Sequence, residues 1–401
     1  MSPTNIAIIG AGLSGLTLAL ALHRNSIPCT VYEARMAPLD IGGAIMLSPN
    51  ALRILDTLGA YARIRSQAYE FDHLFFRSAK NELVDSYEFG SERYGYHGLR
   101  VYRNVLIREL SAMVTEREIP IQYGKKFLHV VSENESSVTW AFDDGTTEMA
   151  SCLIGADGIH SRVRKYLYPE MEPTFTNAMG VTATVPTAQL RVPDGYELPV
   201  TIMNPNHGAF VIAPQLSDGS EVLIGRQKRA PQLDRDGWDR LLSDKQWCID
   251  FLRDGVNDFP EIVQHAVSDI DPHKINLWPF YVVPKLDRWS SRLGRVAILG
   301  DAAHAIPPSA GQGINQAFED VYTLSLIMAG AGTEMSFNIG LTIWQQRRQE
   351  RVDKILQLNA QIDKRRMPRS ADMDDGSHAP FDLQWLYAPD FDAMVVEWFD
   401  F

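Results

Sequence analysis

The chain has few cysteines and no long hydrophobic run. Its 401 residues include three cysteines, Cys29, Cys152 and Cys248, whose wide spacing is typical of neither a metal site nor a disulfide framework. We therefore predict reduced core thiols in a cytoplasmic protein. No stretch approaches about twenty uninterrupted apolar residues, so no membrane-spanning helix is predicted. No lysine or arginine precedes the apolar segment 6–22, and three glycines interrupt it, which disfavours a signal peptide.

An excess of positive charge is also absent. Lysine and arginine total 38 against 50 aspartate and glutamate residues, which gives a formal net charge of -12 at pH 7. Such a chain repels a phosphate backbone, and no basic stripe offsets the charge locally, so nucleic acid is not an expected partner. Hydrophobic residues make up 45% and charged residues 22%, which is ordinary for a soluble globular protein.

Motifs for several chemistries are missing. The sequence has no G-x-S-x-G segment for a serine nucleophile and no H-E-x-x-H helix, clustered cysteine and histidine, or EF-hand spacing for a metal ion. We therefore predict no metal. The sequence contains a single G-x-G-x-x-G segment, near its N-terminus, so no second Rossmann unit is predicted.

What the sequence does contain begins with a nucleotide-binding βαβ unit. The pattern predicts a strand at 6–9, a helix at about 13–24 and a strand at 29–33. The connecting turn, Gly10-Ala11-Gly12-Leu13-Ser14-Gly15, fits G-x-G-x-x-G. In such turns Gly10 would allow the tight bend, Gly12 the approach of a pyrophosphate and Gly15 the packing of helix on strand, and we place Ser14 in the same site. The pyrophosphate is expected at the positive end of the helix dipole.

Glu33 lies at the end of the second strand, about twenty residues after the turn. Its carboxylate suits hydrogen bonds from both ribose hydroxyls of an adenosine, and it would repel a 2′-phosphate. The turn and Glu33 therefore predict either NAD or FAD in this site and disfavour NADP there.

The rest of the chain predicts an α/β fold with two lobes. A Rossmann-like cofactor-binding domain with a mostly parallel sheet is discontinuous, covering residues 1–171 and 291–360, with a few strands near 71–100 that belong to the second lobe. An inserted substrate domain with an antiparallel sheet covers 172–290. C-terminal helices follow, and residues 361–401 form a charged linker and an aromatic tail. The tail is expected to dock on the body, and the alternative is a peptide that binds a partner. The further elements expected are helices at about 50–58, 103–117 and 341–358 and one starting near Gly313, a meander at 127–149, and strands at 152–155, 209–213, 221–225 and 296–299.

Two further segments each follow a predicted buried strand. The first is Gly155-Ala156-Asp157-Gly158-Ile159-His160-Ser161-Arg162-Val163-Arg164, and the second is Gly300-Asp301-Ala302-Ala303-His304-Ala305-Ile306-Pro307-Pro308-Ser309-Ala310-Gly311-Gln312-Gly313-Ile314-Asn315. Together with the glycine turn, they resemble the three fingerprints of the class A flavoprotein monooxygenases. That family includes para-hydroxybenzoate and salicylate hydroxylases and the tetracycline-inactivating monooxygenases. The resemblance covers roughly residues 5–350 and implies that the bound dinucleotide is FAD.

The resemblance assigns cofactor-binding roles along the second segment. Asp301 would accept a hydrogen bond from a ribityl hydroxyl. Gly311 and Gly313 would let backbone N–H groups approach the flavin ring, with those near Gly313 and Ile314 at its pyrimidine edge. The helix dipole there would favour the reduced, anionic flavin. Pro308 resembles the family proline that lines the reaction face of the ring.

Five other residues take cofactor-binding roles from the same resemblance. Asp157 and Gly158 would touch the FAD pyrophosphate region and the passing nicotinamide cofactor. Arg103 would meet the FAD phosphates or ribityl chain, Arg35 would lie beside the adenine, and Ala44 belongs to the loop near the moving flavin. For Arg103 and Arg35 the alternative is a solvated surface arginine.

The implied reaction is oxygen insertion. NAD(P)H binds transiently and reduces FAD, O2 then forms a C4a-hydroperoxyflavin, and this reagent hydroxylates or epoxidises an aromatic or polycyclic small molecule. A tail similar to that of fungal enzymes suggests secondary metabolism, and we expect a monomer or weak homodimer. The alternatives are a flavin oxidase or dehydrogenase without oxygen insertion and a non-enzymatic FAD or NAD sensor. A flavin halogenase is disfavoured because no W-x-W-x-I-P motif is present.

The sequence does not identify a catalytic residue. Candidate walls of the substrate pocket are Phe210, Pro214, Trp278, Phe280 and Tyr281, each of which could equally be core, together with Pro308. Many fungal relatives place an arginine in the strand matched by 181–185, and this chain has none there. His304 is expected to be structural.

Overall fold

Short apolar runs of the chain become strands of four sheets. The computed structural model describes residues 5–38, 43–330, 336–366 and 381–399. The strands of these residues are, in chain order, β1 Ile6–Ile9, β2 Cys29–Glu33, β3 Ala44–Leu47, β4 Tyr69–Phe71, β5 His73–Ser78, β6 Leu83–Glu88, β7 Gly98–Tyr102, β8 Ile121–Tyr123, β9 Phe127–Glu133, β10 Val138–Phe142, β11 Thr147–Ala150, β12 Cys152–Gly155, β13 Thr174–Pro186, β14 Val200–Asn204, β15 Gly208–Pro214, β16 Glu221–Arg229, β17 Ile275–Val282 and β18 Val296–Ile298.

Helices connect and cover these strands. They are, in chain order, α1 Leu13–Arg24, α2 Pro49–Thr57, α3 Tyr61–Ile64, α4 Arg103–Glu116, α5 Arg162–Leu167, α6 Arg235–Ser243, α7 Lys245–Arg253, α8 Glu261–Ala266, α9 Asp301–His304, α10 Gly313–Met328, α11 Phe337–Arg366, α12 Gln384–Tyr387 and α13 Phe391–Glu397. None of the helices in the described ranges combines the length and the apolar character needed to cross a membrane.

A five-stranded parallel sheet carries the glycine turn. Its order is β18-β12-β1-β2-β8, and every pairing in it is parallel. The strands β1, β12 and β18 are fully buried apolar runs, which is typical of a parallel sheet covered on both faces. Since parallel strands end at one edge, the loops after β1, β12 and β18 meet there. These loops carry the three sequence segments singled out above.

A seven-stranded, mostly antiparallel sheet forms the second layer, in the order β17-β13-β16-β15-β14-β5-β6. One face packs on α6, α7 and α8 through a separate core that includes Phe210, Ile212 and Ile224. The other face carries the alternate residues of each strand. Two three-stranded antiparallel sheets, β11-β10-β9 and β3-β7-β4, complete the fold.

Most predicted elements are confirmed. Strands β1, β2 and β12 and helix α1 have the predicted bounds, and α10 begins at Gly313 as expected. The meander at 127–149 is the antiparallel sheet of β9, β10 and β11. The three cysteines are buried and free, and burial raises the pKa of Cys29 and Cys152 to about 12, so their thiols are unreactive. The proposed domain boundaries stay a prediction.

The C-terminal region differs from its prediction in one respect. The helix expected at 341–358 runs from Phe337 to Arg366, so residues 361–366 are helical rather than part of a linker. Ile362 is buried, which explains why the helix continues through this charged stretch. Residues 367–380 lie outside the described residues. The tail does dock on the body, because Tyr387 and Phe391 are buried against it.

A buried ionic network joins α10, α11 and the turn before α9. Glu319, Asp320 and Arg348 have no exposed surface. The Arg348 guanidinium donates to Asp320 Oδ1 at 2.8 Å and also to Glu319. Arg351 donates to Glu319 Oε1 at 2.8 Å. Two carboxylates are thus balanced by two guanidinium groups, which is the condition for burying charge at tolerable cost.

Asp320 also fixes the turn that presents Asp301. Its Oδ2 accepts from the backbone N–H of Gly300 at 2.8 Å and lies 2.5 Å from Nε2 of His304. Burial by itself would raise the pKa of Asp320, but His304 and Arg348 outweigh burial and hold the pKa below its ordinary value. The charged carboxylate is therefore part of the native structure.

We expect Asp320→Asn to lower the free energy of unfolding by about 3–5 kcal/mol, because it leaves Arg348 buried with an incomplete partner. Chemical denaturation measures this loss. Asp353→Asn is the matched control, since Asp353 pairs with Lys285 at 2.8 Å on the surface and should cost about 0–1 kcal/mol. Equal losses in both variants would contradict the role given to the network.

The ion pairs of Asp320 also predict how the free energy of unfolding depends on pH in acid. Because the folded-state pKa of Asp320 lies below its ordinary value, its stabilisation is complete above roughly pH 4 and is lost as pH falls through the lowered pKa. Asp320→Asn should therefore lose less stability than the unmutated protein below about pH 4.

Candidate functional site

The glycine turn after β1 leaves an open cradle at the start of α1. Gly10 has a φ of 108°, a left-handed conformation that favours glycine. A Cβ on Gly15 would lie 1.9 Å from the carbonyl oxygen of Gly10, so only glycine lets the helix approach the strand this closely. A Cβ on Gly12 would meet nothing within 4 Å, and Gly12 lines the adjoining cavities. The turn thus has the packing and the open space that a pyrophosphate requires.

Glu33 and Arg35 line a cavity of about 370 Å³ beside this turn. Glu33 Oε2 accepts from the backbone N–H of Ala11 at 2.8 Å, and Oε1 accepts from the N–H of Arg35 at 2.9 Å. The carboxylate is therefore held in place and keeps further lone pairs for ribose hydroxyls. The Arg35 side chain is 60% exposed and lies 3.4 Å from Glu33.

Asp157 supports its loop as well as lining the same cavity. Its carboxylate accepts from the Ser161 hydroxyl at 2.6 Å and from the backbone N–H groups of Arg162 and Val163 at 2.8 and 3.2 Å. Asp157 therefore caps the start of α5. Gly158 next to it lines both this cavity and the one that continues from it.

A second cavity of about 430 Å³ continues from the glycine turn toward α10. Its walls bring together residues from five separated parts of the chain. The predicted residues among them are Gly12, Ser14, Ala44, Arg103, Gly158, Asp301, Pro308, Gly311, Gly313 and Ile314. Gly10, Glu33, Arg35 and Asp157 line the first cavity, so Gly15 alone among the predicted cofactor-binding residues lines neither and acts by packing.

The charges of the second cavity suit a ribityl chain and phosphates. Asp301 is exposed to the cavity, and Arg103 lines both cavities. Although Asp301 is open to the cavity, it is surrounded by protein there, and this desolvation raises its pKa, while His304 and Arg103 oppose that rise. The sixteen-residue helix α10 begins at the wall, where a Cβ on Gly313 would meet nothing within 4 Å. A carboxylate acceptor, a facing guanidinium and a helix N-terminus fit the FAD that the sequence predicts.

A third cavity of about 430 Å³ lies against the seven-stranded sheet and shares a wall with the second. The shared residues are Met46, Arg100 and Pro308. The sheet contributes alternate residues of neighbouring strands, which are Leu74, Phe76, Thr201, Met203, Ala209, Val211, Ala213 and Gln227. This cavity is the candidate substrate site.

The structure corrects most of the predicted pocket walls. Phe210 is fully buried on the opposite face of β15, where it packs on Phe259, and Pro214 has the same orientation in the strand. Trp278 and Phe280 belong to the cavity face of the sheet but lie on its far edge strand and do not line the cavity. Tyr281 packs on Phe175. Pro308 does line the cavity.

Sequence reasoning missed two residues that shape the site. Arg100 lines both the second and the third cavity, but no local motif distinguishes it. Arg164 is buried and donates to the carbonyl oxygens of Ala302 and Ile159 at 3.0 and 2.6 Å, so it ties the Asp157 loop to the Asp301 turn. Arg164 lies in the segment 155–164, which resembles a family fingerprint, and this position could have identified it from the sequence. His304 bonds Asp320 and lines none of the three cavities.

Comparison with known proteins agrees with this site. A sequence model of the FAD binding domain matches residues 3–359. The 3-amino-4-hydroxybenzoate 2-monooxygenase of Streptomyces platensis is 30% identical over 337 residues, which cover 82% of this chain and 80% of that enzyme. The 6-methylsalicylate 1-monooxygenase of Aspergillus terreus is 30% identical over 341 residues, which cover 80% and 74%.

The fold is also found among solved structures. CtdE in complex with FAD and a substrate has a TM-score of 0.79 and 20% sequence identity, and the match covers 98% of this chain and 97% of CtdE. The parallel sheet, the antiparallel sheet and the C-terminal helices are therefore a known arrangement.

Two glycine substitutions in one turn should separate packing from cofactor binding. Gly15→Ala places a methyl group against the backbone of Gly10 and should lower the free energy of unfolding by about 1–3 kcal/mol or more. Gly12→Ala meets no protein atom and should preserve apoprotein stability while weakening FAD binding. Denaturation of the apoprotein and FAD titration measure the two effects. The assignment fails if Gly12→Ala binds FAD normally.

Proposed function

Because this chain belongs to the class A FAD-dependent monooxygenases and carries their FAD binding domain, we propose that it uses NAD(P)H and O2 to hydroxylate an aromatic small molecule. The family membership confirms the resemblance predicted from the three segments. FAD is the cofactor, and the enzyme is an oxidoreductase.

The observation that carries the proposal is the wall shared by two cavities. One cavity is lined by the residues expected to hold the flavin, and the other is mostly apolar and faces the antiparallel sheet. Among the residues that the structure describes, Met46, Arg100 and Pro308 alone line both cavities. A small molecule in the third cavity would therefore lie beside the flavin end of the second, as oxygen transfer requires.

The residues of the second cavity hold and orient the cofactor. Asp301 would accept a hydrogen bond from the ribityl chain, Arg103 would hold the phosphates, and the positive end of α10 at Gly313 would stabilise negative charge on the pyrimidine edge. When bound, FAD would supply the redox chemistry that couples NAD(P)H to O2. The overall balance consumes one NAD(P)H, one O2 and one proton and yields the hydroxylated product, NAD(P)+ and water.

The third cavity positions the substrate and excludes water. Ala209, Val211 and Ala213 on β15 and Phe76 on β5 present apolar surface to it. Such a lining suits a flat aromatic ring and keeps water away from the place where oxygen is transferred. Hydroxylation of a ring, rather than epoxidation, is favoured by the relatives, whose names describe monooxygenases of 3-amino-4-hydroxybenzoate and 6-methylsalicylate.

NAD(P)H binds transiently in this proposal. The chain has one G-x-G-x-x-G turn, and that turn serves FAD. A permanent second dinucleotide would require another such unit.

Oxygen-18 labelling tests the proposal. The FAD-loaded protein is supplied with NADH or NADPH, 18O2 and a panel of aromatic acids and phenols that includes 3-amino-4-hydroxybenzoate and 6-methylsalicylate. We expect at least one compound to accelerate NAD(P)H oxidation and to gain one 18O atom, detected by mass spectrometry. Val211→Phe narrows the third cavity without touching the second, so it should retain FAD and lose most of the incorporation. Formation of hydrogen peroxide without label in any product would instead indicate an oxidase.

A further inference from the structure

Arg100 is a buried cation in the wall between the two cavities. It lies on β7, where its neighbours across the three-stranded sheet are Met46 on β3 and Tyr69 on β4. The residue is 6% exposed. It lines both the second cavity and the third cavity, in the wall that the two share.

The guanidinium of Arg100 has no hydrogen bond or ion pair with any residue in the part of the chain that the structure describes, and its Nε is buried without a partner. An unpaired Nε is not special to Arg100, because Nε of Arg164 is also buried without a partner. Three other buried arginines differ from Arg100 because their guanidinium groups do donate hydrogen bonds to the protein. Arg164 donates to Ala302 O at 3.0 Å, Arg226 to His207 O at 2.8 Å, and Arg348 to Asp320 at 2.8 Å. A buried guanidinium without partners is costly, so its retention in a cavity wall points to a partner supplied from outside the chain.

The protonation state of Arg100 supports an anionic partner. Burial lowers the pKa of Arg100 to about 10, so the group remains charged at neutral pH. Among the described residues that line the third cavity, Asp363 on α11 carries a carboxylate, and it is exposed. Met46 and Pro308 beside the guanidinium are apolar, which strengthens its attraction for a negative group.

We propose that Arg100 binds an anionic oxygen group of the substrate and holds the aromatic ring between the flavin and β15. The ligand is thus an aromatic compound with a carboxylate or an ionised phenol. A guanidinium donates two parallel hydrogen bonds to such a group, which fixes orientation as well as charge. This inference rests on the proposed function, because it assumes that the third cavity receives the substrate.

Calorimetric titration of the FAD-loaded protein tests the inference without turnover. Each probe is an anion with a neutral partner of similar shape: benzoate with methyl benzoate, and pentafluorophenol, which is ionised at neutral pH, with pentafluoroanisole. We expect at least one anion to bind more tightly than its neutral partner. Arg100→Gln should weaken the binding of that anion by about 10- to 100-fold. The affinity for the neutral partner should change by no more than about twofold. If benzoate is the anion that binds more tightly than its neutral partner, the recognised group is a carboxylate. If pentafluorophenol is, the recognised group is a phenolate.

Control variants separate binding from folding. Arg100→Lys keeps the positive charge and should retain part of the preference for the anion over its neutral partner. Arg77→Gln changes an arginine on the opposite face of the antiparallel sheet, where it donates to Asn81 O at 2.9 Å, and should leave binding unchanged. Since Arg100→Gln removes an unpaired buried charge, its melting temperature without ligand should equal or exceed that of the unmutated protein.

Three results would overturn the inference: no preference for either anion, the same preference in Arg100→Gln, or loss of FAD from Arg100→Gln, which would assign Arg100 to the cofactor. Failure of the proposed function is distinguishable, because an anion can bind through Arg100 even if labelled oxygen never enters a product.

Discussion

The site depends on the buried carboxylate of Asp320. This one group bonds the backbone of Gly300, the ring of His304 and the guanidinium of Arg348, and so it connects the loop after β18 to α10 and α11. The loop presents Asp301, and α10 presents its N-terminus at Gly313. Their relative position is therefore set by charge pairing inside the protein rather than by the loop itself, which is the kind of preorganisation a cofactor site needs.

Two buried arginines, Arg348 and Arg100, differ in whether the protein itself supplies their hydrogen-bond acceptors. Arg348 is surrounded by acceptors within the protein and stabilises it. Arg100 is also buried, yet its guanidinium has no acceptor among the described residues. Stability explains the first arrangement but not the second. A site that leaves a buried donor unpaired until a ligand arrives also discriminates strongly against ligands that lack the matching group.

The sequence predicted the cavity-lining residues that belong to local motifs and missed those whose positions depend on tertiary contacts. Gly10, Gly12 and Glu33 could be placed because strand, turn and helix follow one another directly along the chain. The error at Phe210 has a simple cause: alternation along a strand reveals two faces but not which face meets a cavity. The places of Arg100 and Glu319 in the structure could not be predicted, because they depend on residues that are distant in sequence. Helix α11 was predicted too short because Ile362 is buried by contacts that no local pattern shows.

We propose that the flavin lies at the wall shared by the second and third cavities. A crystal structure of the protein with FAD and benzoate tests it most directly. We predict the isoalloxazine ring beside Met46 and Pro308 with its pyrimidine edge toward Gly313, and the benzoate in the third cavity. A flavin ring in any other position, or a wall that separates it from that cavity, would contradict the account.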